Sequence, residues 1–439
     1  MRATEGVALP APHATPGRSP DVVIVGGGPS GAATAWWLAR AGVSVVVLDK
    51  AHFPRPKPCS EYMSPQASRL LEEMGVLGEV EGAGAAQLTG MTVRSPNGGM
   101  IRGVFAGEHR WRGHRDRGLA LQRTLLDPIL LNAARRAGAT VIEGARVNDV
   151  ITDQAGRVDG VQLTMPDGRV TTMRARLTIG ADGLRSVVAR RLELTRMSRF
   201  PRRIALVTHY TGIEGIGELG EMHVERDGYL GLASVGNGLT NLAIVIPAGR
   251  AGELSAGTQP FVDRWIASRP QLRDRFRSAT RATPLRTTGP FASRSRRAWA
   301  PGAALVGDAA DFFDPFTGEG IYAALRGGEL LAPYAIAALA ATSPLGERTA
   351  LEAYDRARRH EFGGKWLVER MIGTAVAFPA LLDRAAAVLA RRPAMADLLV
   401  GVTGDFVPAS AVLNPGYLLR LLVLPGKATR QETGNSPAT

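Results

Sequence analysis

The chain has 439 residues, 45% of them hydrophobic and 21% charged, an ordinary folded-protein composition with length for two or three packed layers. Its net charge of +13 is carried almost entirely by arginine, but residues such as Arg112, Arg115, Arg190, Arg203, Arg294 and Arg297 are scattered without aromatic interleaving. They read as a solvated surface, which argues against nucleic-acid binding. One cysteine excludes an internal disulfide framework and fits a cytoplasmic location, and no apolar run reaches the roughly 20 residues of a membrane span.

Residues 1–20 are rich in Pro, Ala and Ser and read as a disordered lead-in. The stretch 21–49, DVVIVGGGPSGAATAWWLARAGVSVVVLD, follows. Val22 to Val25 form a buried strand, and Gly26, Gly28 and Gly31 then fall in G-x-G-x-x-G spacing before a helix over Ala32 to Ala41. A second buried run from Val43 to Leu48 ends in Asp49. The glycines suit a tight turn, close approach to a pyrophosphate and close helix–strand packing. The helix N-terminus favours phosphate, and Asp49 stands where an acid accepts from the adenosine ribose hydroxyls. This order of parts points to dinucleotide binding.

Pro54, Pro56 and Pro58 keep the next segment extended. Ser64, with Pro65 behind it, predicts a helix N-terminus, and Gly75 its end. Residues 85–120 read as an inserted β segment, and the run from Leu125 to Ala133 as a helix. Strands are expected over Val141 to Gly144, Arg146 to Ile151, Val158 to Met165 and Val170 to Thr178, with Asp167-Gly168 as a hairpin turn. Four more are expected over Ile204 to Thr211, Glu221 to Val224, Tyr229 to Ser234 and Thr240 to Ile246. A helix broken at Pro270, a strand over Ala303 to Val306 and a largely helical last hundred residues complete the chain. Leu330 to Ala341 and Met371 to Leu382 are apolar but short, and each contains a proline, so peripheral membrane contact is left open and a span is not expected.

Three glycine–acid signatures recur in order: the opening fingerprint, Gly180-Ala181-Asp182-Gly183 with Arg185 and Ser186, and Gly307-Asp308 with Gly318-Glu319-Gly320. Together they resemble the flavoprotein monooxygenase and geranylgeranyl-reductase superfamily over roughly residues 20–335. The resemblance implies a glutathione-reductase-like, FAD-binding Rossmann α/β domain with an inserted mixed β-sheet substrate domain and a helical C-terminal region. FAD binding is expected of residues 21–84, 119–184 and 291–335, and substrate binding of 85–118 and 185–290. Residues 336–425 form the helical region and 426–439 a flexible tail. The implied cofactor set is Gly26, Gly28, Pro29, Ser30, Gly31, Asp49, Lys50, Arg123, Val147, Asp182, Gly183, Gly307, Asp308, Pro315, Gly318, Glu319, Gly320 and Ile321. Within it Asp308 meets the ribityl chain, and the helix opening at Gly320 turns its positive end to the flavin, where it favours the reduced anion.

Phe53-Pro54-Arg55-Pro56-Lys57-Pro58-Cys59 resembles the geranylgeranyl-reductase branch in particular. That branch continues Cys-Gly-Gly, whereas this chain continues Cys59-Ser60-Glu61-Tyr62. The chain also lacks the Trp-x-Trp-x-Ile-Pro pattern of a tryptophan-type halogenase. The reading is therefore an NAD(P)H-dependent FAD monooxygenase that hydroxylates or epoxidises a lipophilic polyketide or isoprenoid with O2, through a flavin C4a-hydroperoxide. The alternative is a prenyl or alkene reductase; a halogenase or a redox-silent cyclase or carrier ranks lower. Cys59 and Glu61 are catalytic candidates by position, and His209, Tyr210, His223 and Tyr229 candidates for the substrate pocket. No metal ligands are expected.

Overall fold

The computed structural model describes residues 19–197 and 202–422. Apart from its last two residues, the lead-in expected over 1–20 lies outside this range, as does the tail expected over 426–439.

A six-stranded sheet runs in the order Trp299–Ala300, Ala303–Leu305, Leu177–Gly180, Val22–Val25, Val45–Asp49, Thr140–Glu143. All neighbours are parallel except the first pair. Every residue of Val22–Val25 and Val45–Asp49 is buried, as parallel strands covered on both faces require. Helix Pro29–Arg40 covers one face and packs on helix Gly320–Ala340. The strand expected over Val170 to Thr178 is two strands. Val170–Arg174 alternates in burial and closes a three-stranded antiparallel sheet with Val158–Thr164 and Arg146–Thr152, while the fully buried Leu177–Gly180 enters the parallel sheet. Ser64 accepts from Ala67 N at 3.3 Å, but the helix expected to start there runs only from Ala67 to Glu73, with Gln66 at its N-cap and no side chain capping it.

A second, eight-stranded sheet holds Arg203–Thr211, Leu239–Pro247, Gly228–Gly236 and Leu219–Glu225 in antiparallel succession. Gly90–Arg94 adds parallel to Leu219–Glu225, and Met100–Val104 follows it. Leu206, Leu242, Ile244 and Ile246 pack under Phe261, Val262, Trp265 and Ile266 of helix Thr258–Ala267. The other face, with Ala205, Val207, Met222 and Tyr229, turns towards Phe291 and Phe316.

Ser343 starts the 34-residue helix Pro344–Ala377 by accepting from Gly346 N at 3.2 Å. Helices Pro379–Leu389 and Pro393–Thr403 return over Val93 and Ile101. Among the described residues no single helix is long and apolar enough to cross a membrane; Pro344–Ala377 and Pro379–Leu389 reach that length and composition only as a pair bent by 112°.

Candidate cofactor and active site

A cavity of about 610 Å³ runs from the ends of the parallel strands to the underside of the second sheet. At its first end helix Pro29–Arg40 opens at Gly28 with no side-chain cap, leaving its leading amides free to face an anion. A Cβ at Gly28 would lie 3.4 Å from Arg55 Nη2 and 3.8 Å from Arg123 Nη2. Two guanidinium groups thus stand over a bare stretch of backbone, an arrangement that suits two linked phosphates. Both are held by the fully buried Asp127: Arg123 donates to it at 2.6 and 2.8 Å, and Arg55 Nη1 lies 3.3 Å from it. Burial works against the Arg123 charge, but Asp127 and Cys59 more than offset it and its pKa is raised. Asp49 is fixed beside this end, accepting from Gly27 N and Ala51 N at 2.8 Å each.

Farther in, Lys57 and Asp308 line the same cavity. Burial pushes the Asp308 carboxyl up, with Lys57 and Arg123 pulling it back; burial and Arg123 lower Lys57. Asp182 accepts from Val187 N at 2.6 Å through Oδ2, while its buried Oδ1 has no partner among the described residues. At the far end Asp314 accepts from Phe316 N at 3.1 Å and shapes the turn Pro315–Thr317. Gly318 then adopts φ +74°, a left-handed conformation open to glycine at little cost, and helix Gly320–Ala340 begins without a side-chain cap. Asp314 also takes Tyr229 Oη at 2.7 Å and Arg203 Nη1 at 2.5 Å. Ala205, Val207, Met222, Phe291 and Phe316 give this end apolar walls, and Trp366, Glu369 and Arg370 of helix Pro344–Ala377 reach into it.

Gly26, Gly28, Pro29, Ser30, Asp49, Lys50, Arg123, Val147, Asp182, Gly183, Asp308, Pro315, Gly318, Glu319, Gly320 and Ile321 all line this cavity. Gly31 and Gly307 do not. A Cβ at Gly31 would sit 1.8 Å from Gly26 O, and one at Gly307 2.8 Å from Ser30 Cβ, so the first serves close backbone packing and the second makes room for the Ser30 side chain. Of the pocket candidates only Tyr229 lines the cavity. Tyr210 points to the opposite face, its ring 5.4 Å from that of Phe276, because adjacent residues of a strand alternate. His223 is turned to Glu221, at 2.8 Å. His209 is drawn to Glu61 at 2.6 Å, outside the cavity wall. Cys59 does line the cavity, but Glu61, at φ +63°, turns away into the protein.

Arg203, expected as a solvated surface charge, is buried, because Asp314 and the Gly373 carbonyl take its guanidinium. Arg294 lines the cavity. Sequence reasoning also passed over Arg55, Lys57 and Glu369. The first two had a signal, since the flanking prolines hold them in an extended segment; Glu369, inside a long helix, had none.

FAD fits these residues. Gly28, Arg55 and Arg123 would hold its pyrophosphate, Asp49 the adenosine ribose and Asp308 the ribityl hydroxyls. The orphan oxygen of Asp182 is an acceptor awaiting a donor in the same cavity.

The FAD binding domain family model matches residues 19–365. The chain is 29% identical to menaquinone reductase of Mycobacterium tuberculosis over 89% of this chain and 92% of that protein. It is 30% identical to digeranylgeranylglycerophospholipid reductase 1 of Methanococcoides burtonii, over 79% and 81%. Among solved structures, the myxobacterial chondrochloren halogenase, an FAD-dependent halogenase, superposes with a TM-score of 0.73 at 25% identity, covering 80% of this chain and 82% of the other. The nucleotide cradle, its cationic cover and these similarities along most of the chain agree: the protein belongs to the FAD binding domain family and is an FAD-dependent oxidoreductase of mixed α/β fold.

Proposed function

We propose that the chain is an NAD(P)H-driven reductase of carbon–carbon double bonds in an isoprenoid lipid. The carrying observation is the apolar far end of the cavity, walled by Val207, Met222, Phe291 and Phe316 and continuous with the nucleotide cradle. It would place a hydrocarbon chain against the end of the cofactor that reacts. The two reductases aligned along most of the chain are named for menaquinone and for a digeranylgeranyl lipid. Those molecules share a polyisoprenoid chain and little else, which supports that chain as the substrate class.

In this reading residues 21–84, 119–184 and 291–335 hold the cofactor, and 85–118 with 185–290 roof its ring. Bound FAD would supply the electron pair. The protein holds the pyrophosphate with Arg55 and Arg123, fixes the ribityl chain with Asp308, and keeps water from the ring with the phenylalanine and methionine walls. The helix start at Gly320 favours negative charge beside it. Oxygenation, placed first from the sequence, is the second reading, since the same apolar walls of Val207, Met222, Phe291 and Phe316 would equally keep water from bound FAD in that chemistry.

The test is mass spectrometry of a geranylgeranyl lipid turned over with NADPH or NADH, with oxygen uptake recorded alongside. Gain of two hydrogens without substrate-coupled oxygen uptake supports reduction. Gain of one oxygen atom with matching uptake replaces it with the second reading.

A further inference from the structure

A second, smaller cavity of about 50 Å³ lies behind the far end of the large one, and the two share Asp311, Glu319, Ala323, Trp366 and Glu369. On its own side it is lined by polar groups, among them Tyr322, Arg358, Lys365 and Asp405. A chamber of that size and polarity has room for about three waters.

Lys365 Nζ lies 4.0 Å from Glu319 Oε2, touches Asp405 and stands 4.5 Å from the centre of the Tyr322 ring. Glu369, one helical turn on in the same helix, lines both the small chamber and the large cavity. The other acids near it are engaged, Asp314 by Arg203 and Asp311 by Arg358. One buried ammonium therefore serves Glu319, Glu369 and Asp405. Three carboxylates drawing on a single ammonium, shut off from bulk water, disfavour full ionisation of the group, which therefore retains a proton.

We propose that Glu319, Lys365 and Glu369 form a proton-exchanging cluster, with Glu369 passing a proton from the small chamber to the substrate in the large cavity. The site is independent of the reductase reading; the identity of its final acceptor rests on that reading. Adding two hydrogens across a double bond takes a hydride, supplied with the electron pair of NAD(P)H, and a proton. The Glu369 O–H bond breaks as the second C–H bond forms, and the carboxylate is reprotonated from chamber water by way of Glu319. Titration favours the same arrangement: burial raises Glu369 well, with Glu319 adding to it and Lys365 opposing, and burial pushes Glu319 up to about 7.

The cluster is tested by infrared difference spectroscopy of the FAD-loaded protein titrated through neutral pH in H2O and D2O. The wild type should show a deuterium-sensitive band of a protonated carboxyl at neutral pH, weakened in Glu369→Gln and in Glu319→Gln. Lys365→Met, which removes the cation, should make the band persist to higher pH. Identical bands in the wild type and both glutamine variants would overturn the proposal. With substrate, Glu369→Gln should keep the wild-type rate of flavin reduction by NAD(P)H yet slow product formation about a hundredfold; an unchanged product rate would also overturn it. If the wild type reduces no isoprenoid at all, the reductase reading fails and the infrared result still decides the cluster.

Discussion

Glu61 and His209, 148 residues apart, meet at 2.6 Å through Oε2 and Nε2. The same carboxylate accepts from Arg123 N at 2.9 Å and Asn241 Nδ2 at 3.1 Å. It ties together the Cys59 loop, the start of helix Arg123–Arg136 and the second sheet. Glu61→Ala leaves Arg123 N and His209 Nε2 without this acceptor, while Asn241 Nδ2 keeps the Cys59 carbonyl at 2.9 Å, and should cost about 3 kcal/mol, whereas Glu61→Gln keeps part of the set and should cost about 1 kcal/mol. Chemical denaturation of the holoprotein measures both, and equal midpoints for wild type and alanine variant would remove the bracing role.

Two glycines of one fingerprint should fail differently. Gly28→Val places methyl groups in the space between the helix start and the two guanidinium groups, so it should purify folded but colourless. Gly31→Ala drives a methyl into Gly26 O, 1.8 Å from its Cβ position, and should instead give little soluble protein. Flavin absorbance per mole of protein, read beside circular dichroism, distinguishes the two; a yellow Gly28→Val would refute the pyrophosphate placement.

Asp308 lines the large cavity, half-buried, and the charges of Lys57 and Arg123 act on its carboxylate. Asp308→Ala should retain its far-ultraviolet circular dichroism and lose most of its bound FAD. Full flavin retention after gel filtration would exclude Asp308 as the ribityl ligand.

Asp314 joins the second sheet to the turn at Pro315. Tyr229→Phe removes one of its buried donors and should cost about 1–2 kcal/mol. Arg203→Met strips the one cation paired with it among the described residues and should cost about 3–5 kcal/mol, because the carboxylate stays behind uncompensated. A smaller loss for Arg203→Met than for Tyr229→Phe, by thermal denaturation, would contradict this order.

Burial pushes Glu319 from 4.5 up to about 7, with Lys365 pulling it back. Between those values the folded chain holds a proton that the unfolded chain has released. This contribution is therefore fully present below about 4.5 and is lost as pH rises to about 7. Glu319→Gln has no such proton. The stability of the wild type relative to this variant should fall across that window by up to about 3 kcal/mol. Lys365, lowered by burial, slopes the other way; in the variant it loses the Glu319 charge that holds its pKa up, so its opposing slope is steeper there and adds to the same relative fall. Parallel stability–pH curves would argue against a raised Glu319.

The nucleotide half of the site was legible because its chemistry is local. Val22 to Val25, the glycines and Asp49 lie within one strand–helix–strand unit, and each part has a characteristic residue type. The walls were less legible. His209 and Tyr229 are both polar aromatics on strands of one sheet, and only three-dimensional pairing decides that one meets Glu61 while the other faces the cavity. Arg203 resembles any surface arginine until Asp314, 111 residues later, is brought beside it. The break between Arg174 and Leu177 was missed because a β-rich run does not reveal that the chain changes sheets.

Strand order within the parallel sheet also bears on synthesis. Val22–Val25 lies next but one to Ala303–Leu305, a strand that follows nearly three hundred residues later, and the far end of the cavity closes only with Trp366 and Glu369. A nascent chain emerging in order can close the first glycine turn early, yet it cannot complete the chamber until its long helix has left the ribosome. Cofactor capture should therefore come late and lock in an already folded chain, so that chains halted before Ala303 emerge without flavin.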